Sequence, residues 1–490
     1  MSAPASLYLG FDIGTQSTKA LVIDPARGEV IARAQRSHGL LPDLPPGHME
    51  QHPETWIEAV QATGREVLAL VDRERIAGLG VSGQQHGCVV LDADGRVVRA
   101  AKLWCDTATA DEARWLGDKL GRTVPTGFTA SKLVWLQRHE PERWAKVRHV
   151  MLPHDFVNFR LTGVASMEFG DASGTGFFDP ATRQFDRLAM HAIDARLPSL
   201  LPPLLAPGAL AGRLSASGAN LLGLPEGLPV AAGGGDNMMS AIGSGATRAG
   251  VVVVSLGTSG TVFTRTAAPV IDPQGLIAPF CSSDGAWLPL LCVMNLTGVT
   301  EEVRALTGLG HGELTEQAAA VPSGCEGLLW LPFLAGERVP DLPEATGTLL
   351  GMRPHLLRPG HLYRAALEGT SLNLSAGFDR LRALGVSIDE VRLVGGAAKN
   401  PLWQQILANV FGVAVRPLLE TESAALGAAL QAEWTVRRLG GETDLLTEDV
   451  AAPFVRMAAP VVPEARMRTA VAALRARFAA EVERLYPTAR

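Results

Sequence analysis

Cysteine is scarce in this chain. It occurs five times, at Cys88, Cys105, Cys281, Cys292 and Cys325. The number is odd, the spacing is wide, and no CxxC pair exists. These features argue against a disulfide framework and a zinc site, and for reduced thiols in a cytoplasmic protein. Long apolar runs are also missing. Stretches such as Val251-Val252-Val253-Val254 are far too short to span a bilayer. The opening Ser2-Ala3-Pro4-Ala5-Ser6 has neither a charged n-region nor a long apolar core, so no signal peptide is expected. There is no excess of positive charge. The net charge of −6 leaves no broad basic surface for nucleic acid or an anionic membrane. An anionic ligand must then be held by local backbone donors, a few cations, or a metal. No low-complexity segment or long charge run interrupts the chain.

What remains is a soluble globular composition, 47% hydrophobic and 19% charged, in 490 residues. That length suggests at least two domains with large cores. The stretch around which the rest is organised is Ala231-Ala232-Gly233-Gly234-Gly235-Asp236-Asn237. Three glycines follow a short apolar run and deliver one carboxylate, and Met238 to Gly243 reads as a short helix. Glycine lets another molecule approach the main chain closely. Asp236 is expected at or near the helix start, where the dipole favours its ionised form and lowers its proton affinity. Such a carboxylate can accept a proton or hold a metal. It can equally be a helix cap, because Asp is a preferred one.

In chain order, Leu7 to Ile13 reads as a buried strand, followed by the turn Gly14-Thr15-Gln16-Ser17-Thr18. Strands from Lys19 to Asp24 and from Glu29 to Gln35 complete an antiparallel meander. A helix begins at Pro53, and a strand covers Ile76 to Val81. Val89 to Leu91 and Val97-Val98 suggest a hairpin. The region from 196 to 226, rich in Pro, Leu and Gly, suggests an extended connection. After Asp236 the opening device returns: a strand from Val251 to Leu256, a Gly257-Thr258-Ser259-Gly260 turn, and a strand from Thr261 to Thr264. The echo is one of layout. It predicts two similar α/β domains, 1–246 and 247–490, each opening with a hairpin aimed at a shared cleft.

Gly-Thr turns suit a phosphate chain, because backbone N–H groups and hydroxyls bond phosphate oxygens without net positive charge. Gly14 and Thr15, with Gly257 and Thr258, are the candidates, although Gly and Thr are common in ordinary hairpins. Asp12 beside the first turn makes sense if Mg²⁺ sits between carboxylate and phosphate. Gly395-Gly396-Ala397, after the buried strand Val391 to Val394, would let a base or ribose lie against the main chain. Asn400 could hydrogen-bond that ligand, and it is also a good N-cap ahead of Pro401. Gln85, His86, Trp104 and Asp106 lie on loops and offer the groups a polyhydroxylated ligand needs. Glu337-Arg338 reads as a structural ion pair.

These motifs resemble the FGGY carbohydrate kinases. Asp12-Ile13-Gly14-Thr15, Gly83-Gln84-Gln85-His86-Gly87, Gly233 to Asn237, Ser255 to Gly260, Gly336-Glu337-Arg338 and Gly395-Gly396-Ala397 stand in family order. Thr129 to His139, with Lys132 and Trp135, matches another signature of that family. The resemblance spans residues 7 to 435. It implies two actin-like (ribonuclease H-like) domains flanking a deep cleft, ATP and Mg²⁺ as cofactors, and γ-phosphoryl transfer to a sugar hydroxyl. Gln85-His86-Gly87, Leu103 to Asp106 and Leu152 to Asp155 are most similar to members acting on D-xylulose. In this resemblance Asp236 is the base, and Asp12 acts near metal and phosphates. Thr15 and Thr258 bind the phosphate chain, while Gly396, Ala397 and Asn400 take the adenosine side. Gln85, His86, Trp104 and Asp106 line the sugar pocket. A homodimer follows only by family analogy.

Two departures stand out. Thr107-Ala108 replaces an Arg that several relatives carry after the Asp, and His154 replaces a frequent Lys. The remaining alternatives are a kinase for ribulose, a gluconate or an alditol, and a non-catalytic ATP-driven binding protein on the same fold.

Overall fold

Seven consecutive buried residues, Leu7–Ile13, form the first strand of a sheet covered on both faces. In this computed structural model residues 6–487 are described; Ser2 to Ala5 of the opening segment, and the outermost residues of the two expected domains, lie outside them. Strand β1 (Leu7–Ile13) pairs antiparallel with β2 (Ser17–Asp24), which pairs antiparallel with β3 (Glu29–Ser37). Helix α1 (Pro53–Leu68) follows, and β4 (Ile76–Gly83) returns parallel to β1. Helix α2 is Thr129–His139, and α3 is Pro153–Thr162. Strand β5 (Pro229–Ala231) joins β4, and the glycine loop leads into α4 (Asp236–Gly243).

The second half repeats this order. Strand β6 (Gly250–Leu256) pairs antiparallel with β7 (Gly260–Thr264), and β7 with β8 (Trp287–Val293). The long helix α5 (Pro359–Ala383) precedes β9 (Ile388–Val394), which is parallel to β6. Then come α6 (Pro401–Phe411), β10 (Val415–Pro417) and α7 (Ser423–Leu439). The central orders are β5-β4-β1-β2-β3 and β10-β9-β6-β7-β8. The two halves therefore share one topology, as the echo of strand, Gly-Thr turn and strand predicts. Together they form the expected α/β architecture of two actin-like domains.

One expectation gains a partner and one is corrected. Val89–Leu91 turns back on Val97-Val98 as expected, with Val98 N–H donating to Val90 O and Asp92 N–H to Arg96 O, and it also pairs along its whole length with His149–Met151. All three residues of Val89–Leu91 are buried, and the longer pairing covers them. The region 196–226 is also not simply extended. It contains helices Leu197–Leu200 and Ala216–Leu222 and strand Leu210–Arg213, whose apolar positions Leu197, Ala211 and Leu222 enter cores, as does Leu214 between the last two. Among the described residues no helix is long and apolar enough to cross a membrane, and all five cysteines are unpaired.

One core lies between the halves. It joins Leu21 and Ile23 of the first sheet to Val251, Val253 and Phe263 of the second through Met238, Met239, Ala425 and Ala428 on α4 and α7. Helix α7, from the second half, packs its backbone against β1 and β4 of the first. A Cβ on Gly10 would strike Ala425 O, one on Gly80 would strike Ala428 O, and one on Gly427 would strike Met239 O. These glycines set the distance between sheet and helix. Adding a methyl group at Gly80 forces backbone apart, so Gly80→Ala is expected to destabilise the protein by about 1–3 kcal/mol. Thermal unfolding of the variant checks this, and an unchanged Tm would contradict the close approach.

Candidate active site

The three-glycine loop ends at the edge of β4, where Gly234 and Gly235 pair with Ser82 and Gly83. Gly235 is the helix cap and offers no side-chain bond, so Asp236 is the first residue of α4 rather than its cap. Its Oδ1 accepts from the Asn237 N–H at 2.8 Å and from Asn237 Nδ2 at 2.9 Å. Asp12, at the end of β1, is 8% exposed and accepts a 2.8 Å bond from Ser82 Oγ. Across the β1–β2 register it faces Lys19, whose Nζ lies 2.5 Å from Glu422 Oε2 in the other half.

The electrostatics reverse the expectation for Asp236. Its carboxyl is pushed up to about 8, first by burial and then by the charges of Asp12 and Asp171, against the pull of the Asn237 bonds. Desolvation and like charge outweigh the short helix's dipole. Burial likewise raises Asp12, in spite of Lys19 and Ser82. Burial works against the charge on Lys19, but Asp12 and Glu422 outweigh it and raise its pKa. Two crowded carboxylates beside a single ammonium make a donor set that suits a divalent cation.

The sugar-side candidates fall into two groups. Gln85 Oε1 accepts from Asn237 Nδ2 at 2.8 Å, and its buried Nε2 has no partner among the described residues. The His86 ring lies against Phe128 (4.8 Å between centroids) and Phe280 (5.7 Å), with its Nδ1 against the backbone of Gly174. Burial, then the positive charges of Lys132 and Arg338, hold that imidazole neutral, well below its ordinary range. Lys132 ties down the Gly127 and Phe128 carbonyls, and burial lowers its own pKa to about 7. Trp104 and Asp106 are already committed. Trp104 Nε1 donates to Thr15 Oγ1 at 3.0 Å. Asp106 is buried and accepts from Met49 N–H, Ala108 N–H and Lys102 Nζ.

On the nucleotide side, Gly14 and Thr15 form the β1–β2 turn, and the Thr15 hydroxyl donates to Gln84 Oε1 at 3.2 Å. Gly257 and Thr258 form the matching β6–β7 turn, with Thr258 exposed. Strand β7, which leaves the second turn, meets α4 through Thr261, which donates to Asn237 Oδ1 at 3.0 Å. Gly395 has φ 90° and crosses Leu256 O so closely that a Cβ would stand 2.7 Å from it. That crossing sets Gly396 and Ala397 beside the second turn. Asn400 is a cap: its Oδ1 accepts from Trp403 N–H, and its Nδ2 donates to Thr315 Oγ1.

Several contributions could not be read from the motifs themselves. Asn237 bonds Asp236, Gln85 and Thr261 at once. Lys19 was findable only through its register with Asp12. Gln431 on α7 clamps Gly233 from both sides, accepting from its N–H at 2.8 Å and donating to its carbonyl at 3.0 Å. His154 sits between Asp171 (2.6 Å) and Asp155 (3.1 Å). Burial opposes its charge, but Asp155, Asp171 and Glu168 push it up to about 9, so it supplies the cation a lysine would. Glu337 and Arg338 are not an ion pair. The Glu337 carboxylate accepts from Met294 N–H, Arg338 N–H, Asn295 Nδ2 and Asn373 Nδ2.

Residues 7–243 match the N-terminal domain of the FGGY family of carbohydrate kinases, and residues 252–436 match its C-terminal domain. A xylulose kinase of Haemophilus influenzae is 40% identical over 460 residues, covering 90% of this chain and 93% of that protein. The crystal structure of xylulose kinase from Rhodospirillum rubrum superposes with a TM-score of 0.88 at 28% identity, covering 98% of this chain and 99% of that one. That of gluconate kinase from Lactobacillus acidophilus gives 0.90 at 22% identity, covering 99% of each chain, a likeness of fold.

The raised carboxyl yields a signed pH effect. Asp236 stands at about 8 folded against an ordinary 3.8. Its contribution to stability is therefore full below about pH 4 and is lost as pH rises through about 8. Asp236→Asn, which cannot ionise, should gain in Tm over the wild type as pH rises from about 5 to about 9 with metal chelated. A Tm difference that does not vary with pH would show Asp236 to be unshifted.

Proposed function

The chain belongs to the FGGY family of carbohydrate kinases, and on that premise we propose that it transfers the γ-phosphoryl group of ATP to the C5 hydroxyl of D-xylulose. The observation that supports this reading is the Asp236 carboxylate, presented by three glycines within reach of the Asp12 charge and linked through Asn237 to Thr261 on β7. Xylulose is the acceptor named for a relative 40% identical in sequence, and a ketopentose suits the unpartnered donor Gln85 Nε2 and the neutral His86 ring.

Asp236 is the general base. Its Oδ1 is occupied by Asn237, which leaves Oδ2 to receive the hydroxyl proton. Phosphoryl transfer asks mainly for alignment and charge stabilisation, so a single oriented carboxylate suffices. Asn237 fixes its rotamer and, through Thr261, ties it to the second turn. Asp12 and Asp236 would hold Mg²⁺, which when bound neutralises phosphate charge and lowers the proton affinity of both carboxylates. Lys19 keeps a positive charge beside Asp12. Thr258, in the exposed second turn, takes the phosphate chain together with the backbone of Gly257. The Gly395-Gly396-Ala397 backbone takes the adenosine. Thr15 reaches a phosphate through its turn backbone, because its hydroxyl already serves Trp104 and Gln84. Trp104 and Asp106 shape the sugar side from behind, one through Thr15 and the other through Lys102.

Asp236→Ala is expected to keep ATP and sugar binding and to lose turnover by roughly a thousandfold or more. Calorimetric titration and a coupled ADP-release assay measure the two separately, and substantial residual turnover would contradict the base assignment. The same assay across D-xylulose, D-ribulose, gluconate and alditols tests the acceptor. The highest kcat/KM should fall on D-xylulose, and a preference for another acceptor would overturn the substrate assignment.

A further inference from the structure

Arg338 is the unabsorbed half of the Glu337-Arg338 motif. Its guanidinium makes no hydrogen bond or ion pair among the described residues, and only its backbone N–H is engaged, by Glu337. Its backbone is nonetheless firmly held. Glu337 is 3% exposed and anchors the segment to Asn295 and Asn373. An arginine on a fixed backbone with a free planar fork has donors available for something outside the protein. Burying such a group without a partner is costly, and Arg338 remains only half-buried.

Its direction is informative. Arg338 belongs to the second half of the chain, yet its Nη2 lies against Gly127 of the first. A Cβ on Gly127 would stand 3.4 Å from that nitrogen and 2.8 Å from Trp104 O. Gly127 opens the loop that Lys132 ties down and whose Phe128 packs on His86. The Arg338 charge is also one of the two that bear on the His86 ring. Its neighbours in the first half are thus residues of the sugar side, and within its own half its charge also reaches Cys292 on β8, the strand partner of Thr261.

We propose that Arg338 is a substrate-binding residue, delivered from the nucleotide-binding half, whose guanidinium hydrogen-bonds oxygens of the polyhydroxylated acceptor opposite Gln85 and His86. The acceptor is then gripped by both halves, so sugar binding itself draws the halves together and completes the site. This deepens the sugar-kinase reading and rests on it.

The test uses full-length Arg338→Ala and Arg338→Lys with D-xylulose and ATP. Because the guanidinium bonds nothing in the protein, both variants should keep the wild-type Tm. Arg338→Ala should lower kcat/KM for the sugar roughly tenfold to a hundredfold, with sugar KM raised and ATP KM within about twofold of wild type. Arg338→Lys should fall between, because it keeps the charge and loses the fork. Calorimetric titration of D-xylulose into the nucleotide-free variant should show the same weakening. Unchanged sugar affinity, a loss carried by ATP KM alone, or a large fall in Tm in both variants would each overturn the proposal. A wild-type protein that releases no ADP with any sugar would instead overturn the underlying function.

Discussion

The structure depends on how a loop of three glycines is kept still. Glycine gives Gly233 to Gly235 the tight path that Asp236 needs, and it also leaves that path with the most conformational freedom to lose. The loop is therefore fixed from outside. Gln431 is fully buried and bonds both the N–H and the carbonyl of Gly233. Asn158 Nδ2 donates to the neighbouring Ala232 carbonyl at 2.8 Å. Gln431 lies on α7, at the far end of the chain, so the segment that presents the carboxylate belongs to the first half in sequence and is held by the second. That arrangement is available only because Gly10, Gly80 and Gly427 let α7 approach the sheet and α4 so closely.

The same seam explains the electrostatics. A carboxylate at a helix start in water would ionise easily. Here the packing that orders Asp236 also strips it of solvent and sets it near Asp12 and Asp171, and these terms win. The site is a pair of crowded carboxyls whose ionisation favours positive charge beside them, and Lys19, across the register from Asp12, supplies one fixed cation. Lys19 is shared with Glu422 of the other half. Charge balance and the relation of the two halves are thus linked.

Much of this was legible in sequence, for physical reasons. Strands β1, β2, β6 and β7 announce themselves as short apolar runs separated by Gly-Thr turns, and their repetition predicts the duplicated topology. The glycine loop and its carboxylate are a local feature and read directly. Other features are products of tertiary contact. No spacing rule connects Gln431 to Gly233 or Arg338 to Gly127. Asn237 closes the glycine stretch in sequence, but its three partners come together only in the fold. Asp106 carried the right chemistry for a sugar, and the fold placed Lys102 against it. The sign of the Asp236 shift depends on burial and on two other carboxylates distant in sequence, so local reasoning from the dipole gave the opposite answer.

The central claim is that α7 holds the Asp236-bearing loop through a single amide. Hydrogen exchange at the Gly233 N–H, followed by peptide mass spectrometry in wild type and Gln431→Leu, tests it most directly. The account predicts that exchange in the 231–237 segment accelerates in the variant, strands β1 and β4 keep their protection, and kcat falls while both KM values hold. Wild-type protection of that segment together with wild-type turnover would contradict it.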